Sequence, residues 1–410
     1  MADQSQAMHI RADLRPACYD SFRCLAADCR YTCCKGWEIC FDKKDYLRLK
    51  QMKCSPELDA ALKGCLRRLK KGPWAETYYG EFDLAGGYCL LRREDGLCSL
   101  QLEQGHDALP TVCKMFPRME KYPPSGYFER SLSPACEGVL ELLWNLPDGV
   151  DFVSDPLPRE GWREASWEDL AGLRLHFWDI RSQCIDILQD RRYTLPQRIL
   201  LMGLVLKTLV DGERDIDRWR ALARALADDP STVETLSAAD VGNTLPMFLM
   251  NNIRVLHRTH NPGSDFASVP DELYAALGFE YNENILQAVI PTAPYLATRA
   301  RYEEQFAGRE YFMENLMVSL FFYVHMPELG SEEELWESYV QFCNMYSFYR
   351  FMAVMSCREG VEDTKAELFR LTVCASRALV HNVTRQEQLR EELFHNESTT
   401  LAHMAILLSG

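Results

Sequence analysis

The sequence predicts a mainly α-helical fold, preceded by a small, irregular, cysteine-rich metal-binding domain with a short β-hairpin. Three observations lead there. Twelve of the sixteen cysteines lie before Glu141, and only Cys184, Cys343, Cys357 and Cys374 follow it. Beyond Ser166, apolar residues recur with a period near 3.6, the repeat of an amphipathic helix. Between these regions, Val150 to Gly161 carries two prolines and two aspartates, a linker composition. At 410 residues the chain has room for two or three domains. The expected division is a flexible lead-in over 1–16, a cysteine-rich domain over 17–149, a linker over 150–165 and a helical domain over 166–410.

Residues 22–37 read FRCLAADCRYTCCKGW and place Cys24, Cys29, Cys33 and Cys34 within eleven positions. Thiolates are soft ligands suited to zinc, copper(I) or iron–sulfur clusters. Neighbouring residues rarely converge on one metal atom, so Cys33-Cys34 implies two sites or one site with a spare thiol. Asp42 is a suitable cap for a helix over Lys43–Lys53, and Ser55-Pro56 is an N-cap and N1 pair for a second. On that second helix Leu58, Leu62, Cys65, Leu66 and Leu69 share a face, which makes Cys65 a core residue. Cys18, Cys40 and Cys54 have no partner at a telling spacing and stay outside the site. Tyr88–Leu91 and Leu97–Leu100 flank the turn residues Asp95-Gly96, so a hairpin would bring Cys89 and Cys98 to adjoining strands or its mouth. Cys113 in TVCKMFPR and Cys136 in SLSPACEG lie beside Pro110, Pro117 and Pro134, which fix loop geometry rather than helix. A region this irregular has little core, and metal binding would supply its folding free energy.

In the second region Leu170, Leu173, Phe177, Ile180, Cys184, Ile187 and Leu188 stripe one helix, and Thr194 with Pro196 opens another reaching about Val210. Further helices are expected over Tyr311–Met326, Glu332–Met355 and Glu362–His381, with two short ones in Arg385–Leu408 separated near Asn396. Aromatic residues at 321–323, 346, 348, 349 and 351 have core spacing. His325, His381, His395 and His403 are candidates for polar site work, but the pattern singles out none.

A net charge of -15 excludes a dedicated nucleic-acid binder, which needs clustered Lys and Arg. It suits a basic, lysine-bearing partner. Met1 to Arg15 lacks the apolar stretch of a secretory signal, and the longest apolar run, Met317 to Val324, is too short to cross a bilayer. The expectation is a cytoplasmic protein with no membrane partner, in a reducing compartment where cysteine clusters are metal sites rather than disulfides. G-x-G-x-x-G, Walker A, H-E-x-x-H and G-x-S-x-G are absent, and Gly86-Gly87 is isolated. Cys29, Cys33 and Cys34 give C-x-x-x-C-C rather than the C-x-x-x-C-x-x-C of radical S-adenosylmethionine enzymes. No catalytic residue, cofactor pocket or oligomeric state is assigned.

Four blocks, FRCLAADCRYTCCKGW, CLLRREDGLCSL, TVCKMFPR and SLSPACEG, together resemble the flagellin lysine-N-methylase family. The helical remainder is similar more loosely, at Glu314-Asn315-Leu316 and His381-Asn382. The resemblance implies methyl transfer from S-adenosylmethionine to lysine ε-amines on flagellin, with a 4Fe–4S cluster in the cysteine region. Its ligand set is Cys24, Cys29, Cys33, Cys34, Cys89, Cys98, Cys113 and Cys136. One 4Fe–4S cluster takes at most four cysteines, so eight imply a second site, such as a four-cysteine zinc, or structural thiols. Competing readings are a non-catalytic zinc- or iron-binding adaptor with a helical interaction domain, and a redox sensor. Affinity for S-adenosylmethionine separates the first from an enzyme, and oxidation-dependent partner binding identifies the second.

Overall fold

The structure is a computed structural model. It describes residues 8–10, 12–36, 39–69, 78–85, 87–121, 127–157, 163–165, 172–232, 241–259, 264, 266–279, 290–381, 388–391, 394 and 399–410. Trp37, Gly86, Leu170, Asn382, His395 and Asn396 lie outside the described residues.

Strands β1 (Met8–Ile10) and β2 (Ala12–Pro16) occupy the end of the stretch expected to be a flexible lead-in. β3 (Ile39–Phe41), β4 (Leu66–Arg68) and β5 (Gly80–Phe82) form a small sheet in the order β3-β5-β4. Helix α1 (Lys43–Lys50) starts where Asp42 accepts from the Asp45 N–H, and α2 (Pro56–Cys65) where Ser55 accepts from the Leu58 N–H. Both caps are the expected ones. α2 ends at Cys65, and Leu66 turns into β4, so the helical face expected to reach Leu69 stops one turn earlier. Cys65 is fully buried, as expected.

The hairpin expected at 88–100 forms only at its tip. Arg92 bridges Cys98 and the Arg93 N–H donates to the Leu97 carbonyl, but β7 (Tyr88–Cys89) pairs with β6 (Leu84–Ala85). The other arm winds into α3 (Ser99–Gln104). The Leu100 side chain turns inward into the small core, while the Cys98 sulfur takes up the Leu100 and Gln101 amides at the helix start.

α4 (Thr111–Met115) leads through Phe116-Pro117 into β8 (Arg118–Lys121), which pairs with β9 (Tyr127–Leu132). α5 (Glu137–Trp144) and β10 (Phe152–Pro156) follow. The larger sheet runs β10-β2-β9-β8, so residues 152–156, within the expected linker, are a sheet edge paired with β2. The strand pairing β2–β9 joins segments more than 110 residues apart in sequence (Ala12 with Tyr127), which no local pattern announces. β11 (Arg163–Ala165) pairs with β1.

The helical body comprises α6 (Phe177–Leu188), α7 (Leu195–Val210), α8 (Ile216–Ala227), α9 (Val241–Thr259) and α10 (Val269–Ala276). It continues with α11 (Thr292–Gln305), α12 (Tyr311–Tyr323), α13 (Glu332–Met355), α14 (Thr364–Leu379) and α15 (Leu401–Leu408). α13 matches its expected limits, α12 and α14 fall short of theirs by a few residues, and the Thr194 capping box opens α7. The first of the two short terminal helices falls largely outside the described residues. α13 is buried on almost all sides and packs on α7, α9, α11, α14 and α15, the pattern of a central helix rather than a surface one. Its Phe342, Phe348 and Phe351 lie in the core, as their spacing predicts. No described helix is long and apolar enough to cross a membrane.

Charged groups bolt sheet to helices. Arg181 of α6 is inaccessible to solvent and pairs with the equally buried Glu129 of β9 at 3.0 Å, while donating to the Phe322 carbonyl of α12 at 2.7 Å. Glu314 accepts from Arg191 and Arg198, and Asn315 donates to the carbonyls of Leu143 and Leu146. Those two residues of the resembling Glu314-Asn315-Leu316 block thus hold α12 to its neighbours.

Candidate functional site

The cysteine loop is shaped by its own backbone and clamped from two sides. A 3-10 turn over Ala26–Asp28 is followed by Cys29, and the Ala26 N–H points at the Cys24 sulfur at 3.4 Å. Glu137, in the first turn of α5, accepts from the N–H groups of Arg30 (2.7 Å) and Tyr31 (3.4 Å) and pairs with the Arg30 guanidinium. From α14, Arg377 donates to the carbonyls of Tyr31, Thr32 and Lys35. The Tyr31 hydroxyl reaches the Ala366 carbonyl at 3.1 Å. The loop thus depends on the helical body for its shape.

Other elements bring up the remaining sulfurs. The Cys89 N–H donates to the Cys34 carbonyl at 2.9 Å, and Lys35 bridges Tyr88. At the turn between Cys89 and Cys98, Gly96 has φ 84°, and a β-carbon there would lie 3.5 Å from Ala27. A glycine satisfies both the left-handed backbone and the close approach to the cysteine loop. Cys113 sits on α4, whose Thr111 N–H is held by Asp45. Cys136 precedes α5 as its N-cap residue.

All eight expected ligands are therefore in one neighbourhood, and their mutual electrostatics form two groups joined through Cys33. Cys24, Cys29 and Cys136 act on one another. Cys34, Cys89, Cys98 and Cys113 act on one another. Cys33 stands between, acting with Cys34, Cys113 and Cys136. None of the sixteen cysteines is in a disulfide. Among the described residues, no three His, Cys, Asp or Glu side chains stand close enough to hold an ion as placed.

The chemistry of the set nonetheless suits a thiolate-bound centre. Burial pushes the Cys29 and Cys89 thiols up to about 12 and Cys136 to about 11, with neighbouring sulfurs adding repulsion at Cys29 and Cys89. Backbone amides oppose this: Tyr31 at Cys29, Leu91 at Cys89, Leu100 and Gln101 at Cys98, Gly138 and Val139 at Cys136. Amides aimed at sulfur favour the charged form, and a bound cation would remove the remaining penalty. Cys34 is the exception. A hydrogen bond from Cys33, joined by Thr32, Arg92 and Arg377, holds it below the ordinary thiol value and so favours its thiolate form.

Six of the eight expected ligands, all but Cys29 and Cys136, line a cavity of about 1470 Å³ between the cysteine region and the helices. Cys24 and Cys33 are accessible because they open into it. Its opposite wall is Leu256 of α9, Phe266, Tyr323 of α12, and Cys374, Arg377 and His381 on and just beyond α14. His381 Nε2 lies 2.7 Å from the Ser133 hydroxyl, between the rings of Phe116 and Tyr323. Burial, with Arg377 nearby, lowers His381 to about 4. The spacing of the sequence offered no means of choosing His381, Tyr323 or Arg377, since each is separated from the eight expected ligands by more than 180 residues. Cys40 and Cys374 also line the cavity. Of the other histidines, His325 pairs with Glu129 and His403 belongs to the capping box of α15. A second cavity of about 820 Å³ holds no cysteine, and its Glu303 and Glu314 are engaged by Arg191, Arg198, Arg299 and Arg350.

Comparison with known proteins gives the helical body a relationship. The profile of the FliB lysine N-methylase C-terminal domain matches residues 181–407, more than half of the chain. The chain belongs to the FliB lysine N-methylase family. Similar relatives include lysine-N-methylases of Salmonella typhimurium (34% identical over 140 residues) and Salmonella choleraesuis (35% over 144 residues). In each case the matched stretch covers 33% of this chain and 33% of the relative. The flagellar biosynthetic protein FliU of Salmonella muenchen is 34% identical over 144 residues, covering 33% of this chain and 78% of FliU. The chain thus spans about a third of the length of the lysine-N-methylases it matches. No solved structure matches.

Proposed function

We propose that this protein is a protein-lysine N-methyltransferase that moves a methyl group from S-adenosylmethionine to lysine ε-amines of flagellin. One observation carries the reading: the helices covered by the FliB profile supply Leu256, Tyr323, Arg377 and His381 to the cavity that six of the expected ligands line. At about 1470 Å³ the cavity exceeds the roughly 300–1,000 Å³ of a typical small-molecule site. It has room for a methyl donor and a lysine side chain together.

The physical demands of the reaction match the walls. A lysine amine attacks only when neutral, and its ordinary pKa is about 10.4. Phe116, Phe266 and Tyr323 provide aromatic faces that attract an ammonium and exclude the water that would keep it protonated. Holding amine and methyl in line supplies the remaining advantage. The names of the relatives, lysine-N-methylase and flagellar biosynthetic protein FliU, support a flagellar protein substrate. The -15 net charge favours a lysine-bearing one.

In this reading the eight cysteines hold thiolate-bound inorganic centres, a 4Fe–4S cluster in one set of four and a second cluster or zinc in the other. Cys34, Cys89, Cys98 and Cys113 make one set; Cys24, Cys29, Cys33 and Cys136 make the other. When bound, such a centre supplies folding free energy to a region with little core. The decisive experiment incubates protein purified without oxygen with flagellin and methyl-labelled S-adenosylmethionine, alongside iron, sulfide and zinc analysis. Label on lysine is the expected result. Metal-replete protein that leaves flagellin unlabelled and has no calorimetric affinity for S-adenosylmethionine overturns the reading in favour of a metal-binding adaptor.

A further inference from the structure

Among the described residues, four Lys and Arg side chains line the large cavity against a single carboxylate, the exposed Glu120. Arg377 commits its guanidinium to the carbonyls of the cysteine loop. Arg23 donates to the carbonyls of Asp20 and Phe22 and has no ion pair among the described residues. Lys114 of α4 and Arg118 of β8 are half-buried, and among the described residues no carboxylate or carbonyl accepts from either. The chain carries a net charge of -15, yet this one cavity holds three cations with no counter-charge.

Arg118 is the best placed of the three. Its guanidinium lies over the rings of Phe22 at 4.9 Å and Tyr19 at 5.8 Å, both buried in the larger core. Stacking holds the planar group by its face and leaves its N–H edge for a ligand. Arg130 supplies the contrast, since it lies over the same Tyr19 ring but is paired with Asp13. The sulfurs do not account for Arg118 either. The cations that act most on the eight expected ligands are Arg92 and Arg377 at Cys34, and Arg377 at Cys136.

We propose that Arg118 anchors the carboxylate of the methyl donor, with Lys114 and Arg23 adding positive charge to the same lining. The proposal rests on the lysine-methylation reading and names the group that orients the donor. S-Adenosylmethionine carries an α-carboxylate on the chain attached to its sulfonium sulfur. A guanidinium takes a carboxylate through two parallel N–H···O bonds, which fix orientation as well as affinity. Holding one end of the donor limits where its methyl can sit, and in-line attack by a lysine amine requires that limit. The lining supplies both signs that the donor needs. Arg118, Lys114 and Arg23 suit the carboxylate, and the cysteine sulfurs, anionic as thiolates, suit the ammonium and the sulfonium.

The test measures by calorimetry how metal-replete protein binds S-adenosylmethionine and decarboxylated S-adenosylmethionine, which keeps the ammonium and the sulfonium but lacks the carboxylate. Wild type should bind the first more tightly. Arg118→Gln should weaken S-adenosylmethionine by roughly 10- to 100-fold, the scale of a hydrogen bond to a charged group, and leave the decarboxylated ligand unchanged. Arg118→Lys, which keeps the charge and loses the fork, should fall between the two. Wild type without a preference, or a preference that survives in Arg118→Gln, overturns the anchor and leaves the methyltransferase reading standing. Wild type that binds neither ligand overturns that reading and the anchor with it. If Arg118→Gln does not fold or retain metal, Arg118→Lys decides. A loss confined to the carboxylate-bearing ligand supports the anchor, and a loss shared by both ligands removes it.

Discussion

The cysteine-rich region and the helical body are held together by different means. Between Ile39 and Leu109 the former has its own cluster of only eleven buried hydrophobic residues among those described, with strands of two or three residues. The helical body packs a continuous core around α13. Tyr19, Phe22, Leu132 and residues of α5 belong to that larger core, so the ends of the cysteine region are anchored in the body while its middle is not. The lesson is that the cysteine loops borrow their order, from Arg377 and Ala366 on one side and from Glu137 on another.

The sharpest break in this comparison comes from the sulfurs. Chelation, or Cys98→Ser and Cys136→Ser separately, should release metal from one set each and lower methyl transfer at least about 100-fold, since even outer partners of a metal site cost 10- to 100-fold. Hydrogen exchange should then rise over residues 80–115 with α13 still protected. Equal exposure of both regions would mean that they are one cooperative unit. Metal analysis of the two variants also tests the division into sets, because loss of both centres from either variant contradicts it.

Next in size, Glu129→Ala strands the buried Arg181 without its partner. Removing one member of such a pair costs about 3–5 kcal/mol, measurable as a fall in the urea midpoint of the whole protein. An unchanged midpoint would show that the sheet and helices are not joined through this pair.

Acid should act on the seam between the regions. Burial lowers His381 to about 4 and His325 to about 2 from an ordinary 6.5. Between pH 6.5 and 4 the unfolded chain binds protons that the folded one refuses, so stability is full above 6.5 and declines as pH falls. Each histidine contributes up to about 1.4 kcal/mol per pH unit. Denaturation midpoints at pH 7.5, 6 and 5 should fall in that order, and His325→Gln or His381→Gln should flatten the decline.

The smallest effect is expected at Gly96. Gly96→Ala forces a side chain into a left-handed backbone at a cost of about 1–2 kcal/mol. The loss should appear as weaker metal retention rather than a lower global midpoint.

How much of this was legible differs by region for a physical reason. Asp42, Ser55 and Thr194 announce their helices because a cap and its amides lie within one turn, and α13 declares itself through aromatic residues at helical spacing. The cysteines stand out because a cluster of thiols is chemically costly without a use. The four-stranded sheet was not legible: β2 pairs with β9 and β10, more than a hundred residues away, and its strands are too short to alternate convincingly. The hairpin at 88–100 was half right, since the turn chemistry is local but the inward side chain of Leu100 belongs to the fold.

By itself the sequence determined the helices of the body, the concentration of soft ligands near the start and the resemblance to lysine methylases. Those are properties of residues near one another along the chain, where spacing and capping act directly. Only the tertiary structure decided that Tyr323 and His381 line a cavity with the cysteines, that Ser133 bonds His381, and that Arg377 grips the cysteine loop. Such meetings follow from how a sheet and a helical core exclude water together, and no local pattern encodes the distance between residues that burial alone brings into contact.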